Sequence, residues 1–279
     1  MPLVLALGAG SAVADGARRI ISTAPSLTET LFAIGAGDRV VGVTTFCEYP
    51  EAALALPKIG GFADASVESI LALRPDLVVM VEGRRSLAEQ LSQFDIPGLV
   101  VDPSDLSGIL DTIRRLADAA GTREQGEALA SRIEAELAAA RTAVADRKRR
   151  VLLLVGRNPG SLTALYAVGA TSFLGELLEH AGGENILADS SAAYPKVSLE
   201  QVLARDPDVI IELAGMERGD PARHLRDALA LWGRYPNLKA VKSGAIVVLA
   251  EDRLLQPGPQ VADTVWRLAE ALHGVHRPD

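Results

Sequence analysis

One stretch of this chain is written twice. Ser66 to Gly83 reads SVESILALRPDLVVMVEG, and Ser198 to Gly215 reads SLEQVLARDPDVIIELAG. At a constant offset (198 − 66 = 132) serine, glutamate, alanine, proline, aspartate and glycine align without a gap, and apolar positions fall on apolar positions. A two-fold internal repeat confines the chain to architectures with two similar halves, since each copy is one supersecondary unit. Each copy predicts a short helix with a serine at its N-cap, Ser198 and Gln201 having capping-box spacing. Val67, Ile70 and Leu71, and likewise Leu199, Val202 and Leu203, recur at helical spacing. Pro75 and Pro207 end the helix. The unbroken apolar run after each Pro-Asp predicts a strand buried on both faces of a parallel sheet.

A second echo lies on either side of this one. Phe173 to Ile186 aligns with Leu27 to Val40 at an offset of 146 (173 − 27), so the halves differ by a loop insertion between the two units. In the first half Ser26-Leu27-Thr28-Glu29 has capping-box spacing, and Gly35-Ala36-Gly37 closes the helix before the strand Val40 to Val43. Leu99 to Asp102 resembles, more weakly, Val247 to Leu249 with Glu251-Asp252. Between the halves, Thr122 to Arg150 contains no proline and Gly126 as its one breaker. Leu129, Ile133, Leu137, Ala140 and Val144 form one apolar stripe, which predicts a single long helix ending in Arg147 to Arg150, where basic residues suit the dipole. The expected fold is α/β: two Rossmann-like lobes with parallel sheets, residues 18–121 and 151–279, joined by a rigid helix over 122–150, with a ligand cleft between them.

Composition restricts function more than it assigns it. The formal charge of −8, with no basic stripe, argues against a nucleic-acid partner. Cys47 is the only cysteine, so neither an intrachain disulfide nor a cysteine-cluster metal site is available. No metal site and no cofactor is expected, and no G-x-S-x-G elbow, H-E-x-x-H or phosphate loop supports an enzyme. Of the four histidines only His273 and His276 lie close together, in a polar tail where solvated side chains are the plainer reading. Met1 to Ala14 is apolar and ends in Ala12-Val13-Ala14, a signal-peptidase pattern that lacks the usual basic n-region. Residues 1–17 are therefore read as a leader with cleavage after Ala14, which places the mature chain in the periplasm or cell envelope.

Several motifs, in order, resemble the periplasmic substrate-binding proteins that serve ABC importers of vitamin B12, haem and ferric siderophores. They are Ser22 to Glu29; Gly42-Val43 with Glu48-Tyr49-Pro50; Lys58 to Phe62; Val67 to Ile70 through Arg74 to Val78; Ala181 to Ile186; Tyr194-Pro195; Val197 to Val202; and Pro257-Gly258-Pro259. The wording is most similar to the cobalamin-binding branch. The resemblance implies a non-catalytic, monomeric receptor carrying a cobalt corrinoid, or alternatively haem or a ferric chelate, to a permease dimer, with ATP hydrolysed by a partner subunit. It implies a cleft at the carboxyl ends of the strands, where open α/β sheets bind ligands.

The aromatics fall in those loops: Phe46, Tyr49 and Phe62 in the first half, Tyr166 and Tyr194 in the second. Flat rings suit a macrocycle, because they bury much area with few rotors. Polar candidates are Arg157, Asp252, Arg253 and Gln256. Gln256 is uncharged where the cobalamin branch often has a basic residue, which weakens the case for B12. For haem, Tyr49 or Tyr194 would be the iron ligand. For an anionic siderophore, Arg84, Arg85, Arg157 and Arg253 would be the cations. Glu68 and Glu200 sit at matching helix starts, which the dipole alone favours; the resemblance implies that they dock on permease arginines. The competing classes are a metal-cofactor enzyme or metallochaperone on a similar two-lobed fold, which Cys47 alone does not equip, and an intracellular regulatory domain retaining the cleft.

Overall fold

The computed structural model describes residues 16–62, 64–214 and 220–278; the cleavage point after Ala14 and Gly215, the last residue of the second repeat copy, lie outside the described residues. The first half runs β1 (Ile20–Ser22), α1 (Pro25–Ala33), β2 (Val40–Val43), α2 (Val67–Ala72), β3 (Leu77–Val81), α3 (Arg85–Ser92), β4 (Gly98–Val101) and α4 (Leu106–Ala120). Then come α5 (Arg123–Ala143), β5 (Arg149–Gly156), β6 (Leu165–Ala167), α6 (Phe173–His180), β7 (Gly183–Asn185) and β8 (Lys196–Val197). The chain ends with α7 (Leu199–Arg205), β9 (Val209–Leu213), α8 (Pro221–Trp232), α9 (Lys239–Lys242), β10 (Ile246–Leu249) and α10 (Val261–His273).

The repeat survives as topology. The first sheet has the order β2-β1-β3-β4, all parallel. In the second, β7-β5-β9-β10 reproduces that order, also parallel, while β6 and β8 extend the other end of β5 through antiparallel pairings. The repeated residues do matching work. Ser66 accepts a hydrogen bond from the Ser69 N–H, and Ser198 with Gln201 closes a full capping box. The residue before each proline, Arg74 or Asp206, takes a positive φ (47° and 44°), turning the chain from helix into strand. The aspartate after the proline then holds the entry to the first strand of its own half. Asp76 accepts from the Arg18 and Arg19 amides at 2.9 Å each, and Asp208 from the Arg150 amide at 3.0 Å.

Two local expectations are corrected. Ser26 and Glu29 form no capping box: Pro25 is at the first helical position, Ala24 is the N-cap, and no side chain caps the helix. The long helix stops at Ala143, not Arg150, because Arg149 and Arg150 already pair with Gly183 and Glu184 as the first residues of β5. The stripe itself is as expected, with Leu129, Ile133, Leu137, Ala140 and Val144 all buried. Gly126, the lone breaker, lies where α5 meets α4: a Cβ there would come within 2.3 Å of the Ala117 methyl. Helix α5 packs on α4 from the first half and on α6 and α10 from the second, so one apolar core runs through both halves.

Leu137→Ala should therefore destabilise the whole molecule, by about 2–5 kcal/mol for a large-to-small change in a packed core. Urea unfolding followed by fluorescence and by circular dichroism should give one coincident transition. Two separated transitions would show that the halves do not share this core.

Candidate functional site

Within β2-β1-β3-β4 and within β7-β5-β9-β10 the strands run parallel, so the loops that follow them collect along one edge. Between the two sets of loops lies a cleft of about 350 Å³. The first half contributes Ala24 to Ser26 at the start of α1, Phe62, Val81-Glu82 after β3 and Asp102 to Ser104 after β4. The second contributes Phe173, Ala193-Tyr194 and Leu255 to Pro257. The walls are tied directly: the Phe173 N–H donates to the Ser104 carbonyl at 3.0 Å, and the Leu106 N–H donates to the Glu176 carboxylate at 2.8 Å.

Phe62 and Tyr194 bring one half-exposed ring from each half to this cleft, and Gln256 joins them. The Arg84 guanidinium lies 4.9 Å from the Phe62 centroid, within cation–π range. Burial pushes the Tyr194 phenol pKa up, and nearby Ser172 only partly offsets it.

The other candidates are placed elsewhere. Arg157 and Tyr166 line a cavity of about 250 Å³ at the carboxyl ends of β5 and β9, within the second half. There the Arg157 Nε donates to both carboxylate oxygens of Glu212 at 3.0 and 3.1 Å, and the Trp232 indole donates to Glu212 at 2.7 Å. Both charged side chains are about nine-tenths buried (11% and 10% exposed), so Glu212, paired with Arg157, ties β9 to α8, and Arg157 brings little charge to a ligand. Tyr49 and Arg253 line a third hollow, of about 440 Å³, flanked by α1, α5 and the start of α10. Phe46 and Asp252 line none of the three; Phe46 is more than half exposed at 57%.

Sequence reasoning missed Glu29. Its carboxylate is buried in α1 and accepts from the Arg253 guanidinium at 3.0 Å, across a separation of 224 residues. Arg253 also stacks 3.8 Å above the Tyr49 ring. This charge bridge joins the two halves. Glu82, Asp102 and Ser104 were missed as well, although each is among the first polar residues after a buried strand, which is the signal that could have found them.

Glu68 and Glu200 occupy the first turns of α2 and α7. Both are exposed. The Glu200 carboxyl is held below its usual pKa by its own backbone amide and by Ser198. Among the described residues no group of three His, Cys, Asp or Glu side chains is arranged to hold a metal ion, and no helix is long and apolar enough to cross a membrane.

Two tied α/β halves with aromatic walls facing across a cleft define a solute-binding protein. Residues 20–252 match the family of periplasmic binding proteins, and the chain belongs to that family. It is 30% identical over 269 residues to the vitamin B12-binding protein of Yersinia pestis (strain Pestoides F), covering 95% of this chain and 90% of that protein. The crystal structure of the periplasmic vitamin B12 binding protein BtuF of Vibrio cholerae superposes with a TM-score of 0.75 at 30% identity, covering 92% of this chain and 96% of the other. The apo periplasmic haem-binding protein RhuT from Roseiflexus sp. RS-1 gives a TM-score of 0.77 at 30% identity, over 93% and 99%.

The Glu29–Arg253 bridge carries a pH signature. Burial raises the Glu29 pKa more than the Arg253 hydrogen bond and charge lower it. An acid whose folded pKa lies above its unfolded one binds its proton more readily when folded, so its ionisation costs stability as pH rises. In urea titrations the stability of wild type relative to Glu29→Gln should therefore increase as pH falls from about 7 to about 5. An opposite slope would mean that the Arg253 charge dominates. Arg253→Ala, which strands the carboxylate, should steepen the dependence.

Proposed function

We propose that this protein is the soluble receptor of an ABC importer and that it carries cobalamin or a related corrinoid to the permease. The observation that carries the reading is the pair of half-exposed rings, Phe62 and Tyr194, presented from opposite halves to one cleft. A broad, flat ligand gains from aromatic faces that lose little entropy on binding. The likeness to the vitamin B12-binding proteins of Yersinia and Vibrio supplies the corrinoid.

Haem is the second reading, favoured by the likeness to RhuT. The cleft offers haem iron little. Among the described residues no histidine lines it. The Tyr194 phenol has a raised pKa, which works against the phenolate that ferric iron prefers, and the Tyr49 ring lies under Arg253. A corrinoid brings its own axial ligands and needs none from the protein.

The remaining parts of the reading follow from export. The mature chain begins after Ala14, acts as a monomer without a cofactor of its own, and catalyses nothing; a partner subunit hydrolyses ATP. Glu68 and Glu200 would meet paired arginines on a two-fold permease, which gives a reason for their symmetry that helix capping does not require.

Calorimetry with cyanocobalamin, haem and a ferric hydroxamate should give saturable binding to the corrinoid and weaker or no binding to the others; tight haem binding alone would transfer the reading to haem. Phe62→Ala and Tyr194→Ala should each weaken corrinoid binding roughly tenfold or more, as for a ring at the centre of an interface. Phe94→Ala, an exposed ring at the opposite end of β4, should change nothing. The double reversal Glu68→Lys and Glu200→Lys should leave affinity intact and abolish uptake in cells; normal uptake would reject the docking role.

A further inference from the structure

Two glutamines flank the run Pro257-Gly258-Pro259, and the fold uses them differently. Gln260 is buried (4% exposed), and its Nε2 donates to the Gln256 carbonyl at 2.7 Å and the Arg253 carbonyl at 3.2 Å, so its amide serves to hold the chain. Gln256 has the opposite arrangement. Its backbone is tied on both sides: its N–H donates to the Arg253 carbonyl at 3.1 Å, and its own carbonyl accepts from Gln260 and from the Gly258 N–H at 3.0 Å. Its side chain lines the cleft, and the side-chain Oε1 is buried with no hydrogen-bond partner among the described residues.

A buried acceptor without a donor is costly, by roughly five- to a hundredfold in an equilibrium constant. Turning the amide into the cleft costs Oε1 no hydrogen bond, because it has none to lose. There it offers an acceptor oxygen and two N–H donors in one plane. The group that answers both is another primary amide, lying head to tail through two N–H···O=C bonds. A carboxylate answers the N–H alone and sets an oxygen against Oε1. The charges beside the cleft oppose one another, since Glu82 is paired with Arg85 and Arg84 covers the Phe62 ring. Selection at Gln256 is therefore between hydrogen-bonding groups.

We infer that Gln256 reads the rim of the macrocycle: its side chain pairs with one primary amide of the ligand and disfavours a carboxylate at the same point. Phe62 and Tyr194 suit the faces of a flat ligand, and Gln256 suits its edge. A corrinoid is edged with acetamides and propionamides, whereas haem is edged with carboxylates. The inference rests on the corrinoid reading and adds to it the residue that tells an amidated rim from an acidic one.

The test is a protein-by-ligand cycle on one scaffold: cyanocobalamin, and its monocarboxylates in which a single peripheral amide has been hydrolysed, each isomer titrated separately by calorimetry. About 0.5 M salt brings the screening length well below 10 Å and so suppresses more distant charges. Wild type should bind one isomer, the one hydrolysed at the amide that meets Gln256, about tenfold or more weakly than cyanocobalamin, and more weakly than it binds the other isomers. In Gln256→Leu that isomer should fall into line with the others, and cyanocobalamin itself should bind roughly tenfold more weakly than to wild type. Gln256→Glu keeps an acceptor and loses the N–H donors, so it should hold cyanocobalamin better than Gln256→Leu does and reject the same isomer more strongly than wild type. Comparing isomers within each variant cancels any effect of the substitution on folding. Isomers that all bind alike, or a gap that Gln256→Leu leaves unchanged, would overturn the role of Gln256 while leaving the corrinoid reading in place. No saturable binding of cyanocobalamin would overturn both.

Discussion

The arrangement of this molecule depends on one buried stripe. Leu129, Ile133, Leu137 and Ala140 on α5 are shared between the two halves, packing against α4 on one side and α6 and α10 on the other. Polar ties flank the stripe. Arg114 on α4 donates to Glu127 and Glu134 on α5, and the Trp266 indole on α10 donates to Glu136 on α5 at 2.8 Å. A helix seated by both faces is a poor swivel, because close-packed interiors deform only at the cost of lost contacts. At the cleft floor the Phe173–Ser104 and Leu106–Glu176 hydrogen bonds join the halves again, and the Glu29–Arg253 pair does so at the flank. The walls that meet a ligand are therefore largely in place beforehand, and little of the binding energy is lost in ordering them.

The scaffold was legible in the sequence because its signals are local. Serine caps, a proline stop and a buried apolar run can all be read within eighteen residues, and two copies of the same run require two copies of the same strand order. Even the aspartate in each Pro-Asp has a structural task, anchoring the first strand of its half. The helix over 122–150 was overextended for a related reason. A run of four basic residues suits a helix end, but the pull of β7 on Arg149 and Arg150 comes from a partner 34 residues away (183 − 149).

The site was legible in part, and what the sequence hid in it has one cause. Arg157 and Arg253 looked like cations awaiting a ligand, yet their carboxylates lie 55 and 224 residues off in sequence. Nothing in the spacing of Glu212 or Glu29 announces such a pairing. Glu29 was itself misassigned to a capping box, since Ser-x-x-Glu has the right spacing wherever it occurs; Pro25 moved the cap to Ala24, and the carboxylate was left facing Arg253. Aromatic placement was easier to anticipate. A large ring in an irregular loop after a buried strand has few core positions to enter, and all five candidate rings remain substantially exposed.

The two halves divide their labour between what they share and what they do not. Symmetric residues form the strands, the caps and the two glutamates at matching helix starts. The candidate aromatics come from places where the halves differ. Phe46, Tyr49 and Phe62 lie in the long connection between β2 and α2, whereas Tyr166 and Tyr194 belong to the insertion around β6 and β8. A cleft whose two rings, Phe62 and Tyr194, come from such unlike loops can recognise a ligand with no symmetry of its own. Variation at the insertions would change what is bound without disturbing the sheets, because the extra residues enter beyond the carboxyl ends of strands whose pairing is already complete.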